Sequence, residues 1–77
     1  MFNKAKFNYY REIKNISLDE IARTLGIHLT TLIRKINGDS DFYRHEILTI
    51  RALLELNPEQ VEEVFFDKKL AQTQEKD

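Results

Sequence analysis

Hydrophobic residues recur through most of this chain at intervals of three and four positions, the spacing of amphipathic helices. Short polar segments interrupt the spacing, and the sequence contains neither an internal repeat nor a linker. The predicted helices span residues 3–14, 18–26, 29–37 and 43–54, with a fifth beginning at residue 58. The pattern therefore predicts an all-α fold.

The second helix has the clearest start signal. Ser17, followed three positions later by Glu20, matches the capping box, and Ile16 and Ile21 are spaced for a hydrophobic staple. The helix is therefore predicted to begin at Leu18.

The fifth helix has a start of the same kind. Asn57 is the predicted N-cap, Pro58 occupies the first helical position, and Gln60 completes the cap. The apolar residues of one face follow, with Phe66 beside them: Val61, Val64 and Phe65.

The other helices carry apolar faces that differ in strength. Leu32 and Ile36 give the third helix an inward face. The first helix has an aromatic face formed by Phe7, Tyr10 and Lys14, with Ile13 at its border. The strongest core stripe belongs to the fourth helix: Ile47, Ile50, Leu53 and Leu54.

The connection between the second and third helices has only three residues, Gly26, Ile27 and His28. A small Ala22 lets the helices approach, Gly26 tolerates a positive φ, and Ile27 inserts into the core. These residues predict a helix-turn-helix, although an ordinary pair of packed helices has similar features.

Length and composition predict a small soluble domain. The chain has 77 residues, of which 42% are hydrophobic, and a chain of this size buries only about 60% of its unfolded surface, so dimerisation would stabilise it. The predicted domain comprises residues 1–66, and the polar residues 67–77 are expected to be disordered. Without a long apolar run, we expect an intracellular protein with no membrane span.

The sequence offers little for catalysis or metal binding. It has no cysteine, and the histidines, His28 and His45, do not belong to a ligand-spaced cluster, so we expect them to be surface residues. No nucleophile–base arrangement and no glycine-rich phosphate loop are recognisable. We therefore expect neither a metal, nor a cofactor, nor an enzymatic activity.

The net charge of −1 conceals an asymmetry. Residues 1–38 contain seven Lys and Arg against three Asp and Glu, whereas residues 39–67 contain two against eight. A polyanion would be attracted to the half that contains the predicted helix-turn-helix and repelled by the other.

Two segments carry a resemblance to a known family. SLDEIARTLGI is similar to the T-Q-E-E-L-A-x-x-L-G-I pattern of the Cro and repressor type of helix-turn-helix proteins, the XRE family, and ILTIRALLELN to its L-x-x-I-A-x-x-L-x-V-S pattern. The segments TTLIRKING, FYRHEI and VFF resemble short Cro-like regulators of phages and prophages of Gram-positive bacteria. The resemblance covers residues 4–66 and implies a compact five-helix, lambda-repressor-like DNA-binding domain.

The resemblance implies that the third helix enters the major groove of an operator, where its outward residues contact base edges. Arg34 would bind guanine through its bidentate guanidinium, Thr30 can donate or accept, and Leu29 and Ile33 suit thymine methyl groups. The implied base-contacting residues are His28, Leu29, Thr30, Ile33, Arg34 and Asn37.

Other residues are implied in phosphate contacts, which orient the protein without specifying sequence. Ser17 offers its hydroxyl and the start of the second helix. The implied phosphate-contacting residues are Lys14, Ser17, Thr31, Lys35 and Arg44.

The chain departs from the family at the end of the third helix. Many relatives have a glutamate that pairs with an arginine of the first helix, but Ile36 occupies that position here. Arg11 is left to point outward, to pair elsewhere or to face DNA. Lys35 occupies a position that is normally apolar, which allows two registers for the outward set that differ by one residue.

Leu29 and Ile33 would form an apolar pair on a face that is expected to be polar. They either lie beneath the fourth helix or bind a protein partner. The second case defines an alternative function, a modulator or antirepressor that binds a phage repressor protein.

The expected partner of a Cro-like domain is a double-stranded DNA operator in the bacterial cytoplasm, at the nucleoid. A homodimer would contact two half-sites about one helical turn apart. Phe65 and Phe66 are the candidates for the dimer or partner surface, since neighbouring helical residues cannot both face one core. Alternatively, Phe66 covers the first helix near Phe2 or Phe7.

Overall fold

The computed structural model describes residues 1–68 of the chain, and these form five α-helices without a β-strand. The helices are α1 (Lys4–Ile13), α2 (Leu18–Leu25), α3 (Leu29–Ile36), α4 (Arg44–Leu54) and α5 (Pro58–Phe65). The predicted all-α fold is confirmed, and the predicted helix bounds agree to within one residue at the ends that were assigned. Of the predicted tail, residues 69–77 lie outside the described residues.

Side-chain caps define where most of these helices begin. Ser17 Oγ accepts from the Glu20 backbone N–H at 3.1 Å, but the Glu20 carboxylate does not complete the predicted capping box. The box around Asn57 does form, with Asn57 Oδ1 and Gln60 Oε1 each accepting a backbone N–H, at 2.8 and 2.9 Å. Tyr43, predicted as the first residue of α4, is its N-cap.

Helices α1 to α4 all end in the same backbone motif. A residue with left-handed backbone follows each of these helices. The N–H of this residue and the N–H of the residue after it donate to carbonyls of the last helical turn, which is the Schellman motif. The left-handed residues are Asn15, Gly26, Gly38 and Glu55.

The core is formed by every helix. Helix α2 packs against α3 and α4, and α1 packs against α5. Of the predicted α1 face, Phe7 is buried and Tyr10 is half-buried, but Lys14 and Ile13 are exposed. The fully or nearly buried hydrophobic residues are Phe7, Ile21, Ala22, Leu32, Ile36, Ile50, Leu54, Leu56, Val64 and Phe65.

The two ends of the domain meet at an aromatic cluster. The Phe2 ring lies 5.1 to 5.4 Å from the rings of Phe7, Phe42 and Phe65. Next to it, Asp67 accepts from Asn3 Nδ2 at 2.6 Å. Asp67, assigned above to the disordered tail, is therefore held against the N-terminal segment.

Within residues 1–68, no helix is both long and apolar enough to cross a membrane.

Candidate nucleic-acid interface

The connection between α2 and α3 has the predicted local geometry. Gly26 adopts φ 72°, in the left-handed region, and the Ile27 N–H donates to the Ala22 carbonyl at 3.0 Å. Ala22 is buried at the helix contact, and Ile27 packs on the core. His28 is the N-cap of α3 and forms no side-chain cap. This corner fixes how α3 is presented.

One face of α3 is exposed along its whole length. Leu32 and Ile36 are buried, so the side chains on the opposite face point to solvent. All six residues that were predicted to contact bases are exposed: His28, Leu29, Thr30, Ile33, Arg34 and Asn37. The predicted outward set is thus accessible together, as a candidate base-contacting surface.

Arg34 is the residue of this surface with the strongest hydrogen-bonding capacity. Among the described residues its side chain has no hydrogen-bond or ion-pair partner, so the whole guanidinium is available to a ligand. A planar guanidinium suits bidentate acceptors such as a guanine edge or a phosphate.

Lys4 joins this surface although the sequence did not predict it. Its Nζ donates to Asn37 Oδ1 at 3.0 Å, which brings the start of α1 to the end of α3. The two residues are 33 positions apart, and no local pattern in the sequence signals a contact over that distance.

Ser17, Thr31 and Arg44, which were predicted to contact phosphate, lie in different environments. Ser17 is exposed at the start of α2, Thr31 is half-buried, and Arg44 is exposed at the first position of α4. Within the described part of the chain the side chain of Arg44, like that of Arg34, has no hydrogen-bond or ion-pair partner. It is therefore a second available guanidinium.

Lys14 is engaged by an acidic residue. Its Nζ lies 3.2 Å from Glu55 Oε2, and the pair lies between the ends of α1 and α4. The neighbouring carboxylate weakens the attraction that Lys14 can offer to a phosphate.

The prediction that Lys35 contacts phosphate is wrong, because Lys35 is buried. Only 5% of the Lys35 side chain is exposed, and its Nζ lies 3.0 Å from Glu46 Oε1. The Glu46 side chain is 2% exposed. The same Nζ donates to the Asp41 carbonyl at 2.9 Å and lies 4.1 Å from the centre of the Tyr43 ring. The Lys35 charge is compensated inside the protein by the Glu46 carboxylate.

The contact between Lys35 and Glu46 explains how a lysine occupies a normally apolar position of α3 and shows which residues of the helix face outward. Helix α3 buries both Lys35 and Ile36, and the outward set keeps the register that was predicted. Burial of a lysine at this position is tolerated because α4 supplies a carboxylate and the loop supplies a carbonyl.

The Arg11 guanidinium forms hydrogen bonds within its own helix and the turn that follows it. Its Nη2 donates to Asn8 Oδ1 and its Nη1 to the Ile16 carbonyl, both at 3.1 Å. Arg51 donates in the same way to the Leu56 carbonyl. Both arginines therefore reinforce the turn that ends their own helix.

Helix α5 carries an acidic stripe beside α1. Glu63 accepts from the Tyr10 hydroxyl at 2.8 Å and lies 3.9 Å from Lys6 Nζ. Glu59 and Glu62 are exposed on the same stripe of α5. The hydrogen bond to Glu63, burial and the charge of Glu63 raise the pKa of Tyr10 above the usual tyrosine value.

Several hydrophobic residues remain exposed. Leu29 and Ile33 are 39% and 40% exposed, so they do not lie beneath α4. Phe66 is 46% exposed. The prediction that Phe65 belongs to a dimer or partner surface is wrong, because Phe65 is buried against Phe2 and Phe42.

The histidines are both exposed, and residues 1–68 contain no group of acidic residues and histidines arranged to hold a metal ion.

No family model matches the chain, and no curated protein or solved structure is similar enough to it to count as a match. The candidate interface is therefore defined by its geometry and charge.

Proposed function

We propose that the protein is a sequence-specific DNA-binding transcription regulator of the Cro and repressor type, which places α3 in the major groove of an operator. The observation that carries the proposal is the exposed face of α3 with an unpartnered Arg34, presented by the Gly26 corner. A helix of this kind fits the major groove, and an available guanidinium can bind guanine at two acceptors.

Arg44 provides the phosphate contact in this proposal. It lies at the start of α4, directly after the loop that follows α3. A guanidinium beside the recognition helix fixes its position on the duplex, while Ser17 offers a hydroxyl at the start of α2. The acidic stripe of α5 faces away from the polyanion, since contact there would be repulsive.

The protein is proposed to act in the cytoplasm of a bacterial host, at the nucleoid, without a cofactor or a catalytic role. It contacts two half-sites as a homodimer, for which Phe66 is the exposed aromatic candidate. Sedimentation of the wild type and of Phe66→Ser tests the dimer: dissociation in the variant supports it, and monomeric wild type contradicts it.

The test of DNA binding starts from a duplex library with a randomised central segment, from which the purified protein selects. Binding of the selected duplex is then compared with a scrambled duplex of equal length. Arg34→Ala should lose about 1 to 3 kcal/mol of discrimination at one base pair. Arg23→Ala is the matched control, because Arg23 pairs with Asp19 on α2 and is outside the proposed base-contacting set.

Enrichment of a defined sequence, with discrimination lost in Arg34→Ala and kept in Arg23→Ala, would support the proposal. A folded protein that enriches no sequence would refute it.

The exposure of Leu29 and Ile33 favours a second candidate, a modulator or antirepressor that binds a phage repressor protein through this face. In that case Leu29→Ser and Ile33→Ser abolish binding to the repressor, and no duplex is enriched. If α3 contacts DNA, the same substitutions instead change the preference for thymine at individual positions.

A further inference from the structure

A buried lysine supplies a polar contact to the loop between α3 and α4. Beyond the turn at Gly38 and Asp39, the backbone groups of residues 40–42 have a single hydrogen bond within the described structure, from Lys35 Nζ to the Asp41 carbonyl. The Phe42 ring is anchored against Phe2 and Phe65. Lys35 therefore provides the hydrogen bond to the backbone of this loop.

Glu46 connects that lysine to the start of α4. Its Oε1 accepts the Tyr43 backbone N–H at 2.8 Å and lies 3.0 Å from Lys35 Nζ. The Lys35 ammonium in turn lies over the Tyr43 ring. One buried pair therefore joins the last turn of α3, the loop and the N-cap of α4.

The two arginines without partners flank this network along the chain. Arg34 directly precedes Lys35, and Arg44 directly follows Tyr43. Each of these arginines is therefore the sequence neighbour of a residue in the network, Lys35 for Arg34 and Tyr43 for Arg44.

We infer that Lys35 and Glu46 are positioning residues, which set where Arg44 lies relative to Arg34 and thereby the geometry with which the protein meets DNA. This inference rests on the proposed function. A buried ion pair contributes little net stability compared with apolar residues of similar volume, whereas its geometry is specific. The pair thus orders the loop more than it stabilises the fold.

The double variant Lys35→Met/Glu46→Gln tests the inference. It removes both buried charges and leaves an amide oxygen that can accept the Tyr43 N–H. The matched control is Lys6→Met/Glu63→Gln, which makes the same substitutions in an exposed pair joining α1 to α5. Backbone ¹⁵N order parameters are measured for both variants, together with binding to the selected and scrambled duplexes.

In the wild type and the control, the order parameters of residues 40–44 should be those of rigid backbone, about 0.85, and in the double variant they should fall toward about 0.6. Core residues such as Ile21 and Leu32 should not change. Discrimination between the duplexes should fall about tenfold or more, as for loss of one bidentate base contact.

Unchanged order parameters in the double variant would overturn the inference, whatever happens to binding. Discrimination equal to that of the control would overturn the positioning role even if the loop loosens. If the wild type binds no duplex, the proposed function fails instead, and the relaxation data still decide whether the pair orders the loop.

Discussion

The ionisation of Tyr10 is linked to folding. Its raised pKa means that the folded protein holds the phenolic proton more tightly than the unfolded chain does. The resulting stability is present below the unfolded pKa of about 10 and is lost as the pH rises through the higher folded value.

We expect the thermal unfolding temperature to decrease as the pH is raised from 9 to 11, a range centred on the ordinary tyrosine pKa of ~10. The decrease should be less steep in Tyr10→Phe, which has no phenolic proton. The difference between the two profiles isolates the contribution of the Tyr10 hydroxyl. Tyr9→Phe is the control, and parallel profiles for wild type and Tyr10→Phe would contradict the linkage.

Lys35 shows why removing one partner of a buried pair differs from removing both. Lys35→Met leaves the Glu46 carboxylate buried without its cation, and we expect a loss of about 3 to 5 kcal/mol in the free energy of unfolding. Lys35→Met/Glu46→Gln should lose much less. Urea titrations of both variants measure this difference, and equal losses would show that the charge itself is unimportant.

At the scale of elements, the end of α4 contains a backbone conformation that its residue does not favour. Glu55 has φ 54°, whereas glycine occupies the corresponding positions after α2 and α3. Its pairing with Lys14 is exposed on the glutamate side and contributes roughly 0 to 1 kcal/mol.

Replacing Glu55 separates these two effects. Both Glu55→Gly and Glu55→Ala lose the ion pair, but only glycine relieves the left-handed strain, so Glu55→Gly should be more stable by about 1 kcal/mol. The control is Ala52→Gly, inside α4, where glycine should destabilise by roughly 0.5 to 1 kcal/mol. Denaturant unfolding gives both comparisons. If Glu55→Ala proved as stable as Glu55→Gly, the strain would be absent.

The contact of α2 with α3 depends on the small size of Ala22, which is buried at the crossing. Ala22→Leu should overpack this contact and lower the free energy of unfolding by roughly 1 to 3 kcal/mol. Thr24→Leu, an exposed position of the same helix, is the control for a general effect of leucine. A wild-type unfolding midpoint in Ala22→Leu would contradict the crossing.

At the scale of the whole molecule, positive charge is less available than the sequence indicates. Lys35 is buried, Lys14 pairs with Glu55, Lys6 with Glu63 and Arg23 with Asp19. In residues 1–68 the arginines whose guanidinium has no hydrogen-bond or ion-pair partner are Arg34 and Arg44.

DNA affinity should consequently fall with salt, with a log–log slope of about −0.9 for each phosphate contacted. Arg44→Ala should make this slope shallower by about 0.9 and weaken binding to all duplexes alike. Fluorescence anisotropy over a series of salt concentrations measures both quantities. A slope that is the same in wild type and Arg44→Ala would remove Arg44 from the phosphate contacts.

The helices, the N-caps at Ser17 and Asn57 and the α2–α3 corner could be predicted because they depend on residues within a few positions of one another. Ser17 caps the N–H of Glu20, Gly26 tolerates a left-handed turn, and the spacing of Leu32 and Ile36 sets the inward face of α3. These short-range rules were sufficient for the fold class and for the exposed face of α3.

Only the tertiary structure decided which charged and aromatic side chains face inward. Lys35 resembles a surface lysine in sequence until α4 places Glu46 beside it, and Phe65 and Phe66 are equivalent neighbours until Phe2 and Phe42 cover one of them. The contact of Lys4 with Asn37 likewise joins residues far apart in the chain. Burial of a charge requires a partner, and where that partner lies follows from packing between helices rather than from local spacing.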